Sequence, residues 1–130
     1  MNLESDQSLR YHSILIVEDD RAVRDSLKFS LVTEGFSVRA FADAEQVLAE
    51  PHLPHFDCLI VDQKMPGMSG LDLVLVLRGR HIDIPAILIT SHPSQSLRDR
   101  ATVAGIPIIE KPLLNSLLDH VRHTISHARN

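Results

Sequence analysis

A chain of 130 residues, 44% hydrophobic and 23% charged, has room for one domain, and with aromatics at only 4% and no tryptophan its core must be aliphatic. A formal charge of −4 argues against non-specific nucleic-acid binding, and no apolar run approaches a membrane span. The start, Met1 to Gln7, lacks the basic and apolar regions of a secretory signal, and the one cysteine, Cys58, reads as a small buried hydrophobe, so the cytoplasm is the expected location.

Residues 1–11 read as a tail and 12–127 as one domain, with no room left for an output domain. The first β-type run, 12–17, is almost continuously apolar through Ile14-Leu15-Ile16-Val17. A helical pattern over 21–34 follows, with Val23, Leu27 and Leu31 at i, i+4 and i+8 and Gly35 as its stop. Residues 36–41 form a mixed run, as at a sheet edge. Asp43 with Gln46 three residues on opens the second helix close to a capping box; Ala44, Val47 and Leu48 are its apolar positions and Pro51 its end. The third run, 56–61, contains Cys58-Leu59-Ile60-Val61. Leu71 to Leu77 alternates enough to pass for a strand, but Ser69 and Asp72 form an N-terminal cap pair after Gly67, so a third helix is expected. A fourth run at 85–90 holds Ala86-Ile87-Leu88-Ile89. The helix after it, 94–104, has only Leu97, Ala101 and Ala104 as its stripe and is expected to pack least firmly. A fifth run at 106–109 precedes a last helix, 113–127, which aligns Leu114, Leu117, Leu118, Val121 and Ile125. Continuous apolar strands alternating with helices predict a doubly wound α/β domain, its parallel sheet covered on both faces.

In such sheets the polar site lies beyond the carboxyl ends of the strands. Four features stand there: Glu18-Asp19-Asp20, Asp62, Thr90-Ser91 and Glu110-Lys111-Pro112. Asp20 reads as a helix cap. Clustering Glu18, Asp19 and Asp62 is costly, since two unit charges about 4 Å apart repel by roughly 4 kcal/mol at an effective dielectric near ~20. Mg²⁺ suits them, as a hard ion that binds one or two carboxylates and accepts a phosphate oxygen; Mn²⁺ is an alternative. Lys111 adds a fixed positive charge and Thr90 a hydroxyl donor. A carboxylate nucleophile, a divalent ion, a lysine and a hydroxyl are the parts phosphoryl transfer needs, with an aspartyl phosphate as the product.

The segments Ile14-Leu15-Ile16-Val17-Glu18-Asp19-Asp20, Phe56 through Asp62 to Met65-Pro66-Gly67-Met68-Ser69-Gly70, Ile89-Thr90 and Glu110-Lys111-Pro112 together resemble the receiver domain of bacterial two-component response regulators. The resemblance runs in order over residues 12–127. It implies a flavodoxin-like (βα)5 sheet in the order 2-1-3-4-5, Asp62 as phosphoacceptor and Asp19 as direct Mg²⁺ ligand. It also implies that Glu18 acts on the ion largely through water, and that the Lys64 carbonyl completes the protein's ligands. Thr90 and Lys111 would each hold a phosphoryl oxygen. The implied partners are a sensor histidine kinase or phosphotransfer protein and a downstream protein, with a homodimer as one alternative and neither nucleic acid nor membrane bound. Such a domain assists its own phosphorylation and dephosphorylation but turns over no separate metabolite, so it is not expected to be an enzyme.

Relatives of this kind move the threonine together with a later aromatic residue, and that position is Ile108 here. The count from Thr90 to Lys111 gives one residue fewer than usual between helix four and strand five, with Pro107 in place of an acid. Phosphoryl lifetime in the family varies with the residues two after the acceptor and two after the threonine, here Lys64 and His92, both bulky enough to hinder a water. Leu75 and Val76 flank Asp72 on the side of helix three away from Val74 and Leu77, an apolar pair that can mark a partner surface. His120, His123 and His127 at i, i+3 and i+7 read as a titrating solvated face, since no cysteine or acid converges on them. His12, His52, His55 and His81 read as surface or loop residues. A competing function is a receiver-shaped interaction module that no longer uses phosphate. A hydrolase would need a second acid where Lys64 stands, and a flavin protein would need a glycine loop after strand one.

Overall fold

The computed structural model of the chain describes residues 12–51, 53–112 and 116–128. The proposed tail over 1–11, His52 and Leu114 lie outside the described residues. Five strands, β1 (Ser13–Val17), β2 (Ser37–Phe41), β3 (Cys58–Asp62), β4 (Ala86–Thr90) and β5 (Ile108–Glu110), alternate with α1 (Arg21–Thr33), α2 (Ala44–Leu48), α3 (Gly70–Gly79), α4 (Gln95–Ala104) and α5 (Ser116–Ala128). Every strand pair is parallel and the order is β2-β1-β3-β4-β5, the flavodoxin-like arrangement. β2, the run with the mixed pattern, is an edge.

The period-two alternation of side chains sorts the core into two layers. Ile14, Ile16, Ile60, Ile87 and Ile89 face one way, against Leu27 and Leu31 of α1 and Leu117, Val121 and Ile125 of α5. Leu15, Val17, Leu59, Val61 and Leu88 face the other way, against Val47 of α2, Leu71, Leu73, Val74 and Leu77 of α3, and Leu97 and Ala101 of α4. These strand residues are fully buried. Full burial of a Leu, Ile or Val contributes ~1.5–3 kcal/mol each relative to exposure, so the three inner strands, buried on both faces, supply a large share of the drive to fold.

Helix starts follow their caps. Asp20 accepts from the Ala22 and Val23 amides at 2.9 and 3.2 Å, Ser69 from Asp72 at 3.2 Å and Ser94 from Leu97 at 3.1 Å. Asp43 accepts from the Gln46 amide at 2.9 Å, while the Gln46 side chain accepts from Ala42, one residue earlier than a capping box would have it. The segment that could pass for a strand is a helix, α3. Gly35, at φ +100°, ends α1 as expected, and Phe36 donates back to Leu31 at 3.1 Å.

Several expected boundaries shift, each for a local reason. α2 ends at Leu48 with Ala49 as its cap, because the residue preceding Pro51 is driven away from helical angles. β4 and β5 start after Pro85 and Pro107, whose carbonyls accept from Leu59 and Leu88 at 2.9 Å but whose nitrogens cannot donate. β3 begins at Cys58 and includes Asp62. His12, expected at the surface, is buried: it extends β1, and its carbonyl accepts from Ser37 at 2.9 Å. His55 and His81 are exposed as expected. Leu75 is 43% exposed, whereas Val76 is half-buried.

Candidate functional site

The carboxyl ends of β1, β3, β4 and β5 meet on one rim. The β1 ladder runs one residue past the strand, with the Glu18 amide donating to the Phe41 carbonyl at 3.0 Å. That bond turns the Glu18 side chain inward, where it is fully buried, while Asp19 next to it is exposed. Arg24, one turn into α1, donates to the Glu18 carbonyl at 2.7 Å and steadies the acidic loop. Sequence reasoning did not single out Arg24; a basic residue soon after an acidic triplet was the only signal.

Asp62 ends β3 and is 4% exposed. Its Oδ1 accepts from the Lys64 amide at 3.3 Å. Its Oδ2 faces Lys111 Nζ at 3.3 Å, and the same Nζ lies 3.2 Å from Glu18 Oε2. Lys111 is held by its own backbone, whose amide donates to the Thr90 carbonyl at 2.9 Å. Behind Asp62 sits Gly70: a Cβ there would lie 2.4 Å from the Asp62 carbonyl oxygen and 2.9 Å from Leu88 Cδ1. Only a glycine lets α3 approach the acceptor strand this closely.

Glu18, Asp19 and Asp62 each bring a carboxylate oxygen within 4.8 Å of the others. Burial pushes the Glu18 pKa up to about 7; the Asp20 amide opposes this, the Asp62 charge adds to it, and Lys111 pulls it back. Burial works against the charge on Lys111, but Asp62 and Glu18 together hold its pKa above the usual lysine range. Glu18 Oε2 is buried with no aligned hydrogen-bond donor, its contact with Lys111 being ionic. A buried carboxylate oxygen left so, beside two further acids, fits a divalent cation coordinated by oxygens.

Thr90 closes β4, 1% exposed, its hydroxyl donating to the Ser91 carbonyl over a long 3.3 Å. Lys64 and His92 are exposed, and His92 adopts φ +47° in the loop after β4. Ile108 pairs with Leu88 in register, half-buried on the α3–α4 side of the sheet. Glu18, Asp19, Asp62 and Lys111 are therefore brought together, with Thr90 closing the neighbouring strand. Ile108 stays with the hydrophobic layer. Among the described residues no helix is long and apolar enough to cross a membrane.

Known proteins resemble this chain in sequence and fold. The family model described as response regulator receiver domain matches residues 14–122. The transcriptional regulatory protein FixJ of Bradyrhizobium diazoefficiens is 37% identical over 101 residues, covering 76% of this chain and 49% of FixJ. Response regulator MprA of Mycobacterium tuberculosis is 38% identical over 111 residues, covering 84% of this chain and 48% of MprA. The chain thus spans about half the length of these curated relatives. Among solved structures, FixJ-N superposes with a TM-score of 0.76 at 34% identity, over 89% of this chain and 94% of that one. A CheY-like receiver domain protein of Methanospirillum hungatei superposes with a TM-score of 0.83 at 29% identity, over 90% and 95%. Motif, strand order and likeness over most of the chain agree: it belongs to the response regulator receiver domain family.

Proposed function

We propose that Asp62 accepts a phosphoryl group from a phosphohistidine of a sensor histidine kinase or phosphotransfer protein, and that the modified domain alters its contacts with a downstream protein. The observation that carries this reading is the convergence of Glu18, Asp19 and Lys111 on the buried Asp62. In the transfer an Asp62 carboxylate oxygen forms the new P–O bond as the P–N bond of the donor breaks. The imidazole leaves with the bonding pair and takes up a proton. Mg²⁺, or Mn²⁺ in its place, held by Glu18, Asp19, Asp62 and the Lys64 carbonyl, would supply positive charge to the phosphoryl oxygens. Lys111, already poised on Asp62 Oδ2, offers a second positive charge on the other side. The Thr90 hydroxyl gives up only a long bond to Ser91 when it turns to a phosphoryl oxygen.

Readout in this chain runs through Thr90 and Ile108. An isoleucine can follow the threonine by repacking against Leu88, but it has no ring or hydroxyl to swing between buried and exposed states. Lys64 and His92, exposed at the rim, limit the approach of water and so lengthen the life of the phosphoryl group. A second reading, a phosphate-independent interaction module, is favoured by Ile108 and by the shortened connection between α4 and β5. Incubation with Mg²⁺ and acetyl phosphate, followed by intact mass, separates the two. Gain of one phosphoryl group, lost in Asp62→Asn, supports the acceptor reading; an unchanged mass refutes it.

A further inference from the structure

The chemistry at Asp62 uses none of the histidines on α5. There His123 and His127 stand one turn apart at i and i+4, where side chains share a helix face. Both are exposed, while Val121 and Ile125 of the same helix face the core. Their rings lie 3.8 Å apart between centroids, tilted by 34°. His127 Nδ1 lies 3.2 Å from the His123 carbonyl oxygen. A carbonyl only accepts, so the contact calls for a proton on Nδ1, which leaves Nε2 as the nitrogen open to a metal. Metal-binding imidazoles are built this way: the other ring nitrogen donates to a carbonyl or carboxylate and fixes the ring. Two histidines at i and i+4 on one helix face are also the spacing at which two imidazoles meet on a single zinc ion.

From this geometry we propose that His123 and His127 form a bidentate site for a borderline divalent ion, Cu²⁺, Ni²⁺ or Zn²⁺, on the exposed face of α5. Two imidazoles chelate with water completing the shell, so the lack of a third converging ligand among the described residues, which favoured a merely solvated face, does not exclude binding. His120 lies seven residues from His127, about 10.5 Å along the helix axis, too far for both to hold one ion. The two metal sites sort by hardness. Carboxylate oxygens at Glu18, Asp19 and Asp62 suit Mg²⁺, whereas imidazole nitrogens suit the later first-row ions, with Cu²⁺ tightest.

The test is isothermal titration calorimetry of NiCl₂ into the untagged full chain, with Mg²⁺ held at saturation to occupy the acidic pocket. One Ni²⁺ per chain is expected. His123→Ala and His127→Ala should each weaken binding at least ~10-fold, the loss of one of two chelating arms, while His120→Ala leaves it unchanged. Circular dichroism confirms that the variants keep their helices. No Ni²⁺ binding under saturating Mg²⁺, or equal binding by wild type and both of the first two variants, overturns the proposal. Neither result bears on Asp62, whose reading is judged by mass.

Discussion

Glu18→Gln isolates the cost of burying the acid at the end of β1. Folded Glu18 holds its proton up to about pH 7, whereas an unfolded glutamate releases it near 4.5. Folding therefore takes up a proton between these values. The stability Glu18 supplies is fully present below pH 4.5 and is lost as pH rises through about 7. At 1.36 kcal/mol per pKa unit, the full shift is worth at most ~3 kcal/mol. Glutamine keeps the shape and removes the charge, but Lys111 then keeps only Asp62 as its partner. The expected net gain is ~1–2 kcal/mol near pH 8 without metal, a rise in Tm of about 3–8 °C for a domain of this size. Thermal unfolding in chelator at about pH 8 and about pH 5 measures it. At the lower pH the advantage of Glu18→Gln should fall by ~2 kcal/mol, so that it disappears or passes to the wild type, most of the change coming below about pH 7. Saturating Mg²⁺ should reverse the order, because the wild type alone keeps three carboxylates for the ion. A Glu18→Gln protein that is less stable near pH 8, or a gap that ignores pH, would refute the reasoning.

The same proton links to metal binding: in wild type Mg²⁺ affinity should rise with pH up to about 7 and then level off, and calorimetry showing a flat profile from about pH 5 would contradict a Glu18 that must first ionise. Gly70→Ala puts a methyl into the Asp62 carbonyl and Leu88, so urea unfolding should show a loss of ~1–3 kcal/mol together with slower labelling by acetyl phosphate. Stability equal to wild type would mean that α3 can back away freely. His81, at φ +63° where α3 ends, occupies a conformation that costs a side chain energy; His81→Gly should stabilise by ~0.5–1 kcal/mol, and a loss in chemical denaturation would contradict this. The double variant Lys64→Ala, His92→Ala should lose its phosphoryl group several-fold faster, and equal decay by intact mass would remove these residues from the account.

What could be read from the chain was whatever repeats locally. The runs Ile14–Val17, 58–61 and 86–89 announced buried parallel strands, and Ser69 and Asp43 announced helix starts, because periodicity and capping act within a few residues. The acidic rim was legible too, since a parallel sheet must place strand ends together. What escaped depends on tertiary contacts. His12 is buried and its carbonyl accepts from Ser37 of β2, a partner 25 residues away that nothing near residue 12 records. The close approach of Gly70 to the Asp62 carbonyl and the reach of Arg24 back to Glu18 span only eight and six residues, but they depend on how a helix docks on the strand before it rather than on any local pattern. The pairing of His123 with His127 was visible as spacing, but the proton on Nδ1 follows from the carbonyl that receives it. The strand order came from the resemblance, since alternation alone fits several windings of five strands.

The lysine shared between Glu18 and Asp62 has a consequence for which ions the pocket admits. With all three acids ionised, Lys111 leaves an excess of two negative charges. One divalent ion brings the rim to electroneutrality. Sodium or potassium would leave one negative charge in surplus beside the buried Glu18, and a trivalent ion would overshoot by one. Valence is thereby selected before size or coordination number is consulted, by a side chain that need never touch the metal.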